Sequence, residues 1–301
     1  MKKTMLVFII SLLGAMAVAG CSGTGSGSDT IKIGAQTYSE PKILAHMYKL
    51  LIEDRTDMKV EVIEDLSSSP VVINAMKENE IQMATLYSGE VFNGYFELED
   101  KDTKAPQKVL EMAQKGFDEH FGFKWYNGYG FENTYGFTVR SEIADKHQLD
   151  QVSQLEELAG EMRLGVDTTW LERVDGYQEF KKHYGFEFNK TFPMEIGLVY
   201  EAVANKEVDI VVAYTTDPRL QEFNLHVLAD DKQFFAPFDA SPVVRNDVLK
   251  EHPELDEIVQ LLIGKIDAAT MTRLNYEVDV DKKDVKETAE TFLIELGLLS
   301  K

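Results

Sequence analysis

The chain has 301 residues, a single cysteine and a formal net charge of −21, with 52 acidic against 31 basic side chains. That length suits one large domain or two medium ones. So acidic a surface argues against nucleic acid and against direct adsorption to anionic lipid headgroups, and one cysteine leaves neither an internal disulfide nor a thiolate metal cluster.

The N-terminus reads as an export signal. Lys2 and Lys3 precede an apolar run from Met5 to Ala19, about 15 residues and short of the roughly 20 that span a bilayer. The small residues Ala19 and Gly20 stand before Cys21, which resembles the cleavage site of bacterial lipoproteins. Residues 1–20 are therefore predicted to be a signal peptide, Cys21 the lipidated first residue of the mature protein, and the serine- and glycine-rich segment 21–29 a flexible tether. A plain signal with an incidental cysteine is the alternative; the tether and the absence of any second cysteine favour lipidation. Loss of Lys2 and Lys3 takes the net charge from −21 to −23. No second long apolar run follows, so the mature chain is expected on the extracytoplasmic face of a bacterial cell membrane, held there by its lipid.

Strand and helix patterns then alternate. Residues 31–35 read as a strand, and Ser39 and Pro41 open a helix with Ile43, Leu44, Met47, Leu50 and Leu51 at helical spacing. Strands at 60–63 and 81–86 flank a helix that Pro70 starts, and 106–119 form another helix. This order predicts a largely parallel sheet covered by helices. A second set follows: a strand at 135–139, a helix capped by Ser153, a strand at 163–166, helices at 178–183 and 198–204, and a strand at 210–214 apolar enough to be buried on both faces. The tail from Pro253 to Leu299 is mostly helical.

Residues 75–88 align without gaps on residues 202–215, every offset being 127. Both segments read helix, tight turn, buried strand, then tyrosine and a hydroxyl residue. Chance likeness of two ordinary helix–strand units is one explanation; two lobes built on one plan is the other. Ligands of open α/β sheets lie beyond the carboxyl ends of strands, which would turn Tyr87 and Tyr214 towards one cleft.

The chemistry points to binding. The six histidines lack metal-ligand spacing, and the chain carries no Gly-x-Ser-x-Gly, no phosphate-binding loop and no dinucleotide fingerprint. No cofactor and no catalytic residue is expected. Aromatic residues at strand ends and in loops, Tyr87, Tyr135, Tyr214 and Phe238, are individually ordinary core candidates. Together they suit a fully alkylated ammonium, which has no N–H to donate and is held by ring faces at roughly 0.5–2 kcal/mol per ring.

The chain resembles the substrate-binding lipoproteins of ABC importers for osmoprotectants such as glycine betaine, carnitine and choline. Segments 31–36, 87–89, 129–135, 193–200, 239–243, 250–255 and 274–279 carry the likeness, nearly end to end. The resemblance implies an α/β, two-lobed periplasmic-binding-protein fold of type II. Its sheets would be parallel-rich and flanked by helices, with 30–135 plus 237–301 as lobe 1, 136–236 as lobe 2, and two hinge crossings. It implies an aromatic cage of Tyr87, Tyr135, Tyr214 and Phe238, the last departing from a usual tyrosine, with Gln36 reading the ligand's far end and Asn133 beside the cage. At Glu90 broad betaine and carnitine binders of the family have threonine and choline-preferring ones aspartate. A carboxylate there would attract an ammonium and repel a ligand carboxylate by about 2–4 kcal/mol before desolvation, so choline is the expected preference; a solvated rim residue is the plainer reading of Glu90. The resemblance further implies a monomer that docks on a membrane permease driven by a cytoplasmic ATPase. Carnitine, glycine betaine or a bulkier betaine as cargo, or a sensor lipoprotein on the same fold, are the alternatives.

Overall fold

The computed structural model describes residues 30–101 and 103–299. The signal peptide, the 21–29 tether and Cys21 lie outside the described residues.

Two five-stranded mixed sheets form the framework. The first sheet contains β1 (Thr30–Gln36), β2 (Lys59–Leu66), β3 (Met83–Tyr87) and β4 (Phe123–Trp125). The second contains β5 (Tyr135–Arg140), β6 (Arg163–Asp167), β7 (Lys190–Met194), β8 (Ile210–Tyr214) and β9 (Leu225–Val227), after which β10 (Ala240–Arg245) returns to the first. The orders are β2-β1-β3-β10-β4 and β7-β6-β8-β5-β9. In each, three parallel strands are followed by one that runs antiparallel to them, β10 or β5, and the last strand pairs antiparallel with that one. The chain thus crosses between the sheets twice. The two crossing segments run side by side: Glu132 bridges to Asp239, and the N–H of Asn133 donates to the carbonyl of Phe238 at 2.9 Å.

The 127-residue offset is structural. Helix Ser69–Lys77 matches helix Ile196–Ala204, and β3 matches β8, end for end. The turns between them use the same left-handed residue, Asn79 at φ 58° and Lys206 at φ 64°. Each parallel neighbour carries a glycine against the following strand: Gly34 pairs with Ala84, Gly165 with Val211. A Cβ on Gly34 would lie 2.3 Å from Ile81, and one on Gly165 would lie 3.0 Å from Val208. Arg140 caps the carbonyl of Val203 at 2.6 Å, and Arg245 caps that of Met76 in the same way. So many matched details exclude chance, and the two lobes, one around each sheet, repeat one βαβ plan.

Burial explains the elements. Every residue of β3 is buried, as a strand covered on both faces requires. Helix Ser39–Arg55 lays Ile43, Leu44, Met47, Tyr48, Leu51 and Ile52 on one side. The tail helices Glu254–Gln260, Ala268–Asp279 and Val285–Glu295 pack against that side. Tyr48 ties them on by donating to the carbonyl of Val259 at 3.0 Å. Pro70 and Pro106 sit in the first turns of their helices, where a missing N–H costs nothing.

Several local expectations need correction. The strand expected at 81–86 begins at Met83, because Ile81 and Gln82 finish the tight turn. The helix expected after Ser153 is two short 3-10 turns, Val152–Leu155 and Ala159–Glu161, the first capped by Gln151. The edge strand β7 has no counterpart in the sequence pattern, because Pro193 within it and its half-exposed residues hide the alternation.

Candidate ligand-binding site

Three of the four rings singled out in the sequence, Tyr135, Tyr214 and Phe238, come together at the ends of the strands, between the sheets. Tyr135 opens β5 and pairs directly with Tyr214, the last residue of β8. Their ring centroids lie 5.3 Å apart. Phe238, on the second crossing segment, stands edge-on to Tyr135 at 5.6 Å. Gly89 makes room for it: a Cβ there would come within 2.7 Å of the Phe238 ring. Tyr87 ends β3 and is buried, with its phenol donating to Glu40 and interacting with that of Tyr38. A fifth ring, Tyr38, not singled out in the sequence, lies 5.3 Å from Tyr214 and completes the line. Burial pushes the phenols of Tyr38, Tyr87, Tyr135 and Tyr214 up. At neutral pH they are therefore uncharged rings.

Two cavities meet at this cluster. The inner one is small, about 20 Å3, and is lined by Gln36, Tyr38, Tyr135, Asp167, Arg173 and Tyr214 among others. The outer cleft is about 650 Å3 and is bounded by Tyr135, Phe238, Trp170, Phe235 and Arg173. The inner space holds about one water, so a trimethylammonium group enters only when the rings part. The Nε2 of Gln36 is buried without a hydrogen-bond partner, a donor left for whatever enters. Glu90, Asn133 and Tyr87 line neither cavity.

Glu90 is neither solvated nor facing the cavity. It is buried and accepts from Nη1 of Arg173 at 2.8 Å across the lobes. Asp175 takes Nε and Nη2 of the same guanidinium at 2.8 and 2.9 Å. Burial opposes the charge on Arg173, but Glu90 and Asp175 more than restore it. Its guanidinium also lies 5.5 Å over the Phe238 ring, so that ring face already accepts a cation.

Glu40 is the centre of a second network that no sequence pattern points to. It lies in the first turn of helix Ser39–Arg55, almost fully buried. Oε1 accepts from Tyr87 Oη at 2.6 Å and Asn133 Nδ2 at 3.1 Å. Oε2 accepts from Thr216 Oγ1 at 2.8 Å and Asn275 Nδ2 at 3.3 Å. Burial raises its pKa, and the four donors oppose that rise. The donors come from both lobes, a crossing segment and the tail, so this carboxylate fixes Tyr87 and pins the lobes together at the hinge.

Asp167, at the end of β6, accepts from the backbone N–H of Thr169 at 3.3 Å and caps helix Thr168–Glu172. Burial is the main cause that raises its pKa from 3.8 to about 6.

A pair of α/β lobes joined by two adjacent crossings, with aromatic rings and buried charges converging between them, defines a two-lobed binding protein that closes on a small solute. Residues 29–295 match the family model described as the substrate binding domain of an ABC-type glycine betaine transport system. The chain is 41% identical over 298 residues to a carnitine transport binding protein of Listeria monocytogenes, covering 97% of this chain and 96% of that one. It is 31% identical to a glycine-betaine-binding protein of Pseudomonas aeruginosa, covering 94% of each. The crystal structure of a glycine betaine/carnitine/choline ABC transporter superposes with a TM-score of 0.73 at 40% identity, over 89% of this chain and 99% of that one. The chain belongs to the family of substrate-binding domains of ABC-type glycine betaine transport systems.

Proposed function

We propose that the protein is the extracytoplasmic solute-binding subunit of an ABC importer that captures a quaternary ammonium compound without altering it, choline in preference to glycine betaine. The observation that carries this reading is the convergence of Tyr135, Tyr214 and Phe238 from three separate segments, with centroids 5.3 and 5.6 Å apart. Aromatic faces are the recognition chemistry left for a cation with no N–H. Lobe 1 is taken as 30–135 plus 237–301 and lobe 2 as 136–236. The lobes part to admit the ligand and close on it, with Tyr87 held behind the other rings by Glu40. Gln36 donates to the ligand's oxygen.

The preference for choline rests on charge. Three of the five N–H donors of Arg173 are committed to Glu90 and Asp175, and the inner cavity adds Asp167 and Glu195. Carboxylates outnumber the guanidinium, so a ligand carboxylate meets repulsion. Glu90 thereby acts by occupying Arg173 and not by touching the ligand. Carnitine or another betaine is the second reading. It is favoured by the Listeria relative and by Lys101, Lys104 and Lys232 along the outer cleft, against Asp175 and Glu179.

Cys21 anchors the chain as a lipoprotein, and the closed form docks as a monomer on a membrane permease. Calorimetric titration with choline, carnitine and glycine betaine tests the cargo. Choline is expected to bind tightest; a clear advantage for either betaine defeats the choline preference while leaving the transporter class standing.

A further inference from the structure

The duplication sets one more residue at the site. Gly34 and Gly165 are equivalent, each pairing with matched positions of β3 and β8. Two residues on, Gln36 of the first lobe therefore corresponds to Asp167 of the second. Both end their strands, and both line the inner cavity with Tyr135 and Tyr214. The repeat thus places an amide donor and a carboxylate on opposite sides of one small space.

We propose that Asp167, and not Glu90, supplies the counter-charge for the ligand's quaternary nitrogen. This rests on the functional reading above. Glu90 is spent on Arg173 at 2.8 Å. The carboxylate of Asp167 has room for about four hydrogen bonds, and among the described residues its donor is Thr169 alone. It lines the inner cavity together with Tyr38, Tyr135 and Tyr214, so a cation placed against those rings comes within its field. In a site so poorly hydrated that attraction is only weakly screened. The arrangement divides the labour: rings supply shape and dispersion, Gln36 reads an oxygen, and Asp167 sets the requirement for positive charge.

A pH dependence follows. The charged and titratable groups that face Asp167 are Glu195 and Arg173 on its own lobe, Tyr214 from the neighbouring strand β8, Tyr135 from β5 beyond it, and Tyr38 from the other lobe. Glu195 raises and Arg173 lowers its pKa, and burial outweighs both, leaving it near 6. Below that pH the carboxyl is neutral and the attraction is lost. Binding a cation pulls the pKa down again and releases a proton.

The test is calorimetric titration of the wild-type protein, Asp167→Asn and Asp167→Glu with choline and tetramethylammonium at pH 5 and pH 8. Neither ligand titrates in that range. Asparagine caps a helix as well as aspartate, so melting curves of Asp167→Asn are expected to match the wild type. The wild type is expected to bind more tightly at pH 8 than at pH 5 by up to about tenfold, the ceiling that a carboxyl titrating near 6 sets. Asp167→Asn is expected to bind weakly at both pH values, and Asp167→Glu to keep the pH step. Because Glu40, Glu132 and Asp239 also have raised pKa values, loss of the step in Asp167→Asn is what assigns it. An Asp167→Asn protein with wild-type affinity and an intact step overturns the inference and leaves the function standing. If Asp167→Asn does not fold, a flat wild-type profile overturns it instead. No binding of either cation by the wild type at either pH takes down the functional reading and this inference together.

Discussion

Replacing Glu40 by alanine removes the acceptor for four buried donors: Tyr87 Oη, Asn133 Nδ2, Thr216 Oγ1 and Asn275 Nδ2, at 2.6 to 3.3 Å. A buried donor left unpaired costs about 1–3 kcal/mol. The two hydroxyls can rotate towards other acceptors, but the two amides are fixed by packing. The carboxylate's own desolvation penalty is relieved at the same time, so a net loss of about 3–5 kcal/mol is expected, the range for breaking a buried charged network. Glutamine is a gentler change with a specific reason. Its oxygen keeps one acceptor, and its amide finds a ready partner, because the Oδ1 atoms of Asn133 and Asn275 are both buried and unpaired. Flipping one asparagine amide satisfies both sides, so Glu40→Gln is expected to cost only about 1–2 kcal/mol. Urea unfolding followed by far-ultraviolet circular dichroism reads both values. A Glu40→Ala protein within about 1 kcal/mol of wild type, or a glutamine variant as unstable as the alanine one, refutes the view of Glu40 as the pin between the lobes.

Three further outcomes follow. Phe238→Tyr keeps the ring face and should change affinity for a quaternary amine by no more than about threefold, whereas Phe238→Ala should lose about 0.5–2 kcal/mol of binding; calorimetry distinguishes them. Arg173→Ala strands Glu90 in the interior and should destabilise the fold by about 3–5 kcal/mol. The Arg173→Ala/Glu90→Gln double variant should recover part of that loss in chemical denaturation, and strictly additive losses would contradict the pairing. Cys21→Ala expressed in a Gram-positive host should shift the protein from the membrane fraction to the culture medium, and unchanged membrane retention would remove the lipid anchor.

The parts of the fold legible in the sequence are those whose signals are local. The buried strands at 83–87 and 210–214 are short apolar runs, and their shared offset of 127 residues announced the duplication. The rings of the site were legible because tyrosines follow those strands and because the chain resembles a family with a cage. The charges were not. Arg173 lies 83 residues from Glu90, and Glu40 lies 47 to 235 residues from its four donors. A lone charge in a sequence reads as solvated, and only contacts between segments far apart in the chain bury it. Asp167 escaped for a different reason. The strands β1 and β6 repeat at a different spacing from the units that follow them, so the equivalence of Gln36 and Asp167 appears only when their pairing partners are compared.

The most direct test sets choline against 3,3-dimethyl-1-butanol, in which carbon replaces the quaternary nitrogen and the shape is kept without the charge. If clustered rings and an excess of carboxylates select a permanent cation, calorimetry should show firm binding of choline and at least about a hundredfold weaker binding of the neutral alcohol. Equal affinities would mean that the cavity recognises bulk alone, and the claim of a cation-binding cage would fail.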